Sequence, residues 1–366
     1  MGISRRNLLK AGLLAPIASQ LGLAHAAEPS LRAAAEQSGL IYGAAVNETA
    51  LGVDQPYTAL LQREPGMLVP EGAGKRRTLE PARGRYDFAK ADKLWAFAQQ
   101  NNQRMRGHTL VWHESIPNWL QSALADTPDD RLLPTYIEKV AGHFRGRFHS
   151  WDVVNEVIGP EEDSSDGLRA SSPWYKAFGA NYIEEAFHVT RAADPDVMLF
   201  YNELNLEGDV WWAERRRVAA LKLLERLLKK NVPVQGLGIQ SHLKAYRVDY
   251  SDEVFSKFLD DVHGLGLKVL LTEFDIADID GPADPKVRDA DIASLAKRYL
   301  DVAFSKPHVL GCLTWGITDR YSWLSKWDQY KWPDGSLSRG LPFDGNLQPK
   351  PMEAAMLVTR RVLVAP

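Results

Sequence analysis

The sequence predicts a single-domain α/β fold of the (β/α)8 TIM-barrel type, and three observations carry that expectation. Short apolar runs alternate with longer amphipathic stretches along the chain, the pattern of parallel strands and covering helices. Eight strand-like runs can be found, the number needed to close such a barrel. The chain has 366 residues, 45% hydrophobic and 25% charged, which suits one large barrel and excludes a disordered, collagenous or disulfide-dense chain.

The first residues read as an address. Arg5 and Arg6 precede a moderately apolar run from Leu8 to Leu23, and Ala24-His25-Ala26 fits a small-x-small cleavage site. Residues 1–26 are therefore set apart from the fold as a signal peptide. The string Ser4-Arg5-Arg6-Asn7-Leu8-Leu9-Lys10 looks like a twin-arginine signal, and a general secretory signal that carries two arginines is the alternative. Export to the periplasm or beyond the cell is the expectation, with the barrel occupying residues 27–366.

The expected strands follow in order: Ile41–Val46, Gly66–Val69, Arg104–Val111, Ser150–Val154, Val197–Tyr201, Gly236–Gln240, Lys268–Thr272 and Val309–Trp315. Expected helices between them are Tyr86–Asn101, Tyr136–Phe148, Trp174–Ala193, Trp212–Lys230, Asp252–Leu265 and Ala290–Phe304. In the fourth helix Ala220, Leu223, Leu224, Leu227 and Leu228 form one apolar face, while Lys222, Glu225, Arg226 and Lys229 take the other. No Ser/Gly-rich linker or low-complexity tract divides the chain.

Charge and cysteine content narrow the function. Forty-four Lys and Arg against 47 Asp and Glu give a formal net charge of -3, which offers no electrostatic case for nucleic acid or an anionic membrane surface. No apolar stretch approaches the roughly 18 to 20 residues of a membrane-spanning helix. The single cysteine, Cys312, excludes an intrachain disulfide and a Cys-rich metal site. Eleven Trp is high, which fits either a large core or aromatic platforms for sugars.

In a barrel of this type chemistry sits at the C-terminal ends of the strands. The third strand ends in Arg106-Gly107-His108-Thr109-Leu110-Val111-Trp112-His113 and the fourth in Trp151-Asp152-Val153-Val154-Asn155-Glu156. The fifth ends in Tyr201-Asn202-Glu203, the sixth in Gln240-Ser241-His242, the seventh in Thr272-Glu273-Phe274-Asp275 and the eighth in Thr314-Trp315-Gly316. Glu156 and Glu273 lead the argument, because each follows an apolar strand where an idle carboxylate is costly to desolvate. Two carboxyls facing each other across a cleft are what glycosidic cleavage needs: one protonates the leaving oxygen and one stabilises the oxocarbenium-like carbon. A helix cap or an arginine partner would explain one isolated Glu, but not two with Asn155 and Asp275 beside them. Gln240 and His242 share a strand face, as do Glu273 and Asp275, so His242 can sit beside Glu273 while Asp275 orients its ring.

The strings RGHTLVWH, WDVVNE, YNE, GIQSH, LLTEFD and LTWGITDRYSW, in this order, resemble glycoside hydrolase family 10, the endo-β-1,4-xylanases, over roughly Ile41 to Leu357. The resemblance implies a retaining endo-xylanase acting on β-1,4-xylan or xylo-oligosaccharides, with no cofactor, no metal and a monomeric chain. It makes Glu156 the general acid/base and Glu273 the nucleophile, with His242 and Asp275 orienting. Retention implies carboxyls about 5 to 5.5 Å apart. An acid that works near neutral pH needs a raised pKa, for which a neighbouring anionic carboxylate is one cause. By the same resemblance His108, Trp112, Asn155, Gln240, Trp315 and Trp323 line the subsite at the scissile bond. Asn202, in the matching Tyr-Asn-Glu string, is counted with the substrate-binding residues.

Val69-Pro70-Glu71-Gly72-Ala73-Gly74-Lys75-Arg76 lines up with a family segment that usually reads Glu-Asn-x-x-Lys-Trp. Glu71 and Lys75 match as sugar-binding residues. Gly72 stands in place of the Asn and Arg76 in place of the Trp, which leaves the second glycone subsite without its usual amide unless Arg76 supplies donors. Leu204 stands where many members carry a stacking Tyr on the aglycone side. Three rivals remain in view. A metal-dependent barrel hydrolase could gather His108, His113 and His242, but the chain lacks a His-x-His at the first strand end and a His-Glu-x-x-His helix. A non-catalytic sugar-binding relative would be expected to lose a catalytic carboxylate, and both are present. Another β-1,4-glycanase specificity could run on the same machinery.

Overall fold

The computed structural model describes residues 29–359 except residue 163. The signal-peptide reading, with Arg5 and Arg6, lies outside the described residues. Eight parallel strands close on themselves: β1 Ile41–Val46, β2 Met67–Pro70, β3 Arg104–Gly107, β4 Ser150–Asn155, β5 Met198–Glu203, β6 Gly236–Ile239, β7 Lys268–Ala277 and β8 Val309–Thr314. The sheet closes where β1 pairs with β8, with Ile41 opposite Gly311 and Ala44 opposite Thr314. Among the described residues no helix is long and apolar enough to cross a membrane.

Two strands differ from expectation in a way that shapes the site. The third run, expected from 104 to 111, stops at Gly107 and resumes as a two-residue segment, Val111–Trp112, paired with β4. The interruption is held from below: the Leu110 N–H and the Thr109 hydroxyl both donate to the Asp152 carbonyl, at 3.0 and 2.9 Å. The sixth run breaks after Ile239, where Ser241 has φ 65°, and resumes as His242–Lys244 beside β7. Strict two-residue alternation between Gln240 and His242 is therefore lost. The seventh run is longer than expected and carries Glu273 and Asp275 within the strand.

The helices follow the apolar faces read from sequence, with one division. The stretch expected as a single helix over 174–193 forms two, Pro173–Phe178 and Asn181–Ala193, because Gly179 turns the chain at φ 61°. Helices at Gln55–Arg63 and Pro285–Phe304 start on acidic caps, Asp54 accepting from the Tyr57 N–H and Asp284 from the Lys286 N–H, each with Pro in the first turn. Helices Leu31–Gln37, Gln55–Arg63, Asn118–Asp126 and Pro351–Val358 add to those singled out from sequence.

The interior divides into two layers. Apolar side chains between strands and helices form the larger core. Inside the barrel Ala45, Met67, Val69, Phe200, Leu270 and Leu313 pack beneath Trp315. Arg106 is fully buried in this inner layer, ion-paired with Asp152 and lying 4.6 Å over the Phe200 ring. A charge at that depth is stable only when paired, so Arg106 and Asp152 make a rigid polar platform directly under the strand ends.

Candidate active site

The strand ends open into one cleft of roughly 750 Å³. Glu156 and Glu273 both line it, as do Glu71, Lys75, His108, Trp112, Asn155, Gln240, His242, Trp315 and Trp323. Two residues from the sequence reading do not reach the cavity wall. Asp275 is fully buried behind His242, consistent with an orienting position. Asn202 is a correction: it is fully buried, and each end of its amide already has protein partners.

Those partners show what Asn202 does. Its Nδ2 donates to Glu273 Oε1 and to Asn155 Oδ1, both at 2.8 Å, and its Oδ1 accepts from the Thr272 hydroxyl at 2.7 Å. Asn155 Nδ2 donates onward to Glu156 Oε1 at 3.2 Å, and Gln240 Nε2 donates to the same oxygen at 2.9 Å. A chain of side-chain amides from β4, β5 and the end of β6 thus ties the two carboxyls together. Gly238 on β6 makes room for it, since a Cβ there would lie 2.2 Å from Asn202 Oδ1.

Glu156 sits one residue past β4 with φ 57°, a left-handed conformation that costs a non-glycine residue energy and is retained where surrounding bonds over-determine it. Here the bonds are its N–H to the Asn202 carbonyl and its own carbonyl accepting from Arg169 Nε, both at 2.9 Å. The turn swings the carboxyl into the cleft, where His113 Nε2 lies 3.9 Å from Oε2. Burial, assisted by the Arg169 charge, lowers the His113 pKa to about 4 against the pull of Glu156 and Glu162, so its ring is neutral at working pH.

Glu273 has the opposite surroundings. Burial alone would raise its pKa. The charge of His108, the hydrogen bond and charge of His242, and Lys75 outweigh that and hold the carboxyl below its usual range. His242 Nδ1–H donates to Asp275 Oδ1 at 2.8 Å, and Nε2 lies 3.4 Å from Glu273 Oε2. Burial opposes charge on this ring, but Asp275 and Glu273 together raise its pKa to about 10, so it is an imidazolium at neutral pH. Asp275 Oδ2 also accepts from Trp323 Nε1 at 2.6 Å, which fixes that indole against the cleft. His108 Nδ1–H donates to Asp152 Oδ2 at 3.0 Å, so the buried platform below aims its ring. Lys75 Nζ stands 5.0 Å from the Trp112 ring and 5.7 Å from the Trp315 ring, between two flat apolar walls.

The Arg76 expectation is also corrected. Its guanidinium is buried away from the cleft, 2.8 Å from Glu80 and 4.1 Å over the Tyr136 ring, and donates to the Leu132 carbonyl at 3.0 Å. It anchors the loop after β2 and supplies no donor to a sugar. Leu204 lines the cleft as an aliphatic side chain. Sequence reading missed Asp152 as the base of the platform, although Asp152 lies on β4, four residues before Glu156. It missed Arg169, which enters from a loop without a motif, and Glu48, which follows β1 at the one strand end read for what it lacked. Trp327 and Tyr330 also line the cleft, from a segment without strand or helix periodicity.

Comparison with known proteins agrees with this geometry. The family model described as glycosyl hydrolase family 10 matches residues 30–358. Endo-1,4-beta-xylanase B of Thermotoga neapolitana is 32% identical over 325 residues, covering 88% of each chain. A beta-1,4-xylanase of Dictyoglomus thermophilum is 35% identical over 307 residues, covering 80% of this chain and 82% of its own. Among solved structures, xylanase 10B from Thermotoga petrophila in complex with xylobiose superposes with a TM-score of 0.79 at 32% identity, covering 90% of this chain and 97% of that one. Native xylanase 10B from Thermotoga maritima gives 0.78 at 31%, covering 89% and 96%. With the match running nearly end to end through barrel and cleft, the chain belongs to glycosyl hydrolase family 10.

Proposed function

We propose that the chain is a retaining endo-β-1,4-xylanase. The observation that carries this is the contrast between two carboxyls in one cleft, joined by the Asn155–Asn202 amides: Glu273 is held below the usual carboxylate range by His108, His242 and Lys75, while Glu156 faces a neutral imidazole and two amide donors. The Glu273 carboxylate attacks the anomeric carbon as Glu156 gives its proton to the departing oxygen, forming a glycosyl ester and releasing the aglycone. Esterification removes the Glu273 charge, and Glu156, now ionised, takes a proton from water as that water displaces Glu273. His108, Trp112, Trp315 and Trp323 provide the walls, and apolar indole faces suit a pyranose ring.

Xylan as substrate rests on the activities named for the relatives above, one of them solved with xylobiose. The N-terminal Ser4–Lys10 string supports export as a companion proposal, testable by following the mature N-terminus in cell fractions. The mechanism is tested by proton NMR of the first sugar released from linear xylo-oligosaccharide. The β-anomer is expected, and an initial α-anomer rejects the double displacement and the roughly 5 to 5.5 Å carboxyl spacing it requires.

A further inference from the structure

Beyond Lys75 the cleft wall carries two carboxyls that the mechanism does not use. Glu48 lies two residues past β1, and its Oε1 accepts the N–H groups of Gly72 and Ala73 at 2.9 and 2.8 Å. This spends one oxygen on holding the loop after β2. The other, Oε2, accepts no hydrogen bond from the described residues and lies 3.6 Å from the point where a Cβ on Gly72 would stand. Glu71 lines the same wall, and its carboxyl likewise receives no hydrogen bond from the described residues. Glu48 and Glu71 line the same cleft, and burial and then the Glu48 charge push the Glu71 pKa up to about 7, against the pull of Lys75 and Lys326. Lys75 is turned toward the Trp112 and Trp315 rings, and Lys326 is exposed and outside the cleft lining.

We infer that Glu48 is a specificity-determining residue: across the vacancy at Gly72 its free oxygen accepts a hydroxyl of a glycone sugar beyond the cleaved unit, and its charge rejects a uronic-acid branch on that sugar. This rests on the xylanase reading above. The hydroxyl bond follows from a half-buried acceptor without a donor, facing a cleft shaped for polyols. The rejection follows from placing a second anion against a carboxylate that already shifts its neighbour. A neutral arabinosyl branch of similar bulk meets no such charge.

The test compares kcat/KM for xylopentaose carrying one glucuronosyl or one arabinosyl branch on the second glycone unit, with linear xylopentaose as reference. Wild type is expected to disfavour the glucuronosyl substrate relative to the arabinosyl one by about tenfold or more in dilute buffer. The ratio should shrink several-fold at about 1 M salt, where charges are screened beyond roughly 3 Å. Glu48→Gln should narrow the ratio to within about threefold, make it insensitive to salt, and raise KM for linear xylopentaose. Loss of a hydrogen bond to a charged group predicts about a tenfold rise. A wild-type ratio that does not respond to salt, or a folded Glu48→Gln variant with the wild-type ratio, overturns the inference. If the variant does not fold, the wild-type salt series decides. Absence of xylan cleavage would count against the catalytic reading. Calorimetric binding of the same three oligosaccharides to Glu273→Ala then reports the discrimination without turnover.

Discussion

The two glutamates differ in what surrounds them, and their variants should differ in kind. On the proposed mechanism Glu273→Ala leaves no nucleophile, so turnover should vanish on every substrate. Glu156→Ala should retain the first step on aryl xylosides with good leaving groups, and added azide should restore the second step as a retained glycosyl azide. A retained glycosyl azide from Glu273→Ala, with an inverted one from Glu156→Ala, would reverse the assignment. His242 supplies a second prediction at this scale. Its folded pKa of about 10 lies above the ordinary value of 6.5. The stability it contributes is therefore complete below about pH 6.5 and disappears as pH rises through about 10. Asp275→Asn removes the main cause of that shift. Its cost in denaturant melts should be larger at pH 6 than at pH 10, and the His242 ring, followed by NMR, should titrate well below the wild-type value. Equal costs at both pH values would contradict the imidazolium assignment.

At the scale of elements, catalysis depends on how neighbouring strands pack. Gly238 on β6 leaves the gap that Asn202 on β5 fills, and Asn202 holds Glu273 on β7. Gly238→Ala puts a methyl 2.2 Å from Asn202 Oδ1, and Thr272 closes the other side at 3.0 Å. The amide must move, and a displacement near 1 Å at a catalytic carboxylate costs about 100-fold. The expected result is a fall in kcat of that order with KM little changed on linear oligosaccharides. The loop after β2 gives a stability prediction. Arg76→Ala leaves Glu80 buried without its partner, and breaking such a pair costs about 3–5 kcal/mol. Replacing both by apolar residues should recover much of that in urea melts, because the desolvation cost disappears with the charges. Both elements were legible as strand and loop; their internal fit was not, since it depends on which residues the barrel brings side by side.

For the whole molecule, buried acids set the pH profile of stability. Burial raises Glu71 from 4.5 to about 7 and Asp319 from 3.8 to about 7, the latter despite the Lys350 ammonium 2.7 Å away. Between about pH 4 and 7 the folded chain holds protons that the unfolded chain has released, so these two groups make stability fall as pH rises. Glu273, held low, acts in the opposite sense and loses its contribution as pH falls. Glu71→Gln should flatten the descent of melting temperature between about pH 4.5 and 7. An unchanged slope would mean that Glu71 is not charged at the expense of folding.

Periodicity, strand-end composition and motif order determined the barrel, its cleft and the placement of Glu156 and Glu273 on that cleft. These are local properties: an apolar run makes a strand wherever it lies, and the C-terminal end of a barrel strand faces the cleft. Only the tertiary structure decided that Asn202 ties Glu273 to Asn155 instead of lining the cleft. The same holds for Arg76, which turns inward to the Leu132 carbonyl, and for Glu48, which reaches across from β1 to the space beside Gly72. Each of these depends on residues 24 to 71 positions apart. A side chain's partners across a barrel are set by closure and register, and neither is written in the residues that flank it.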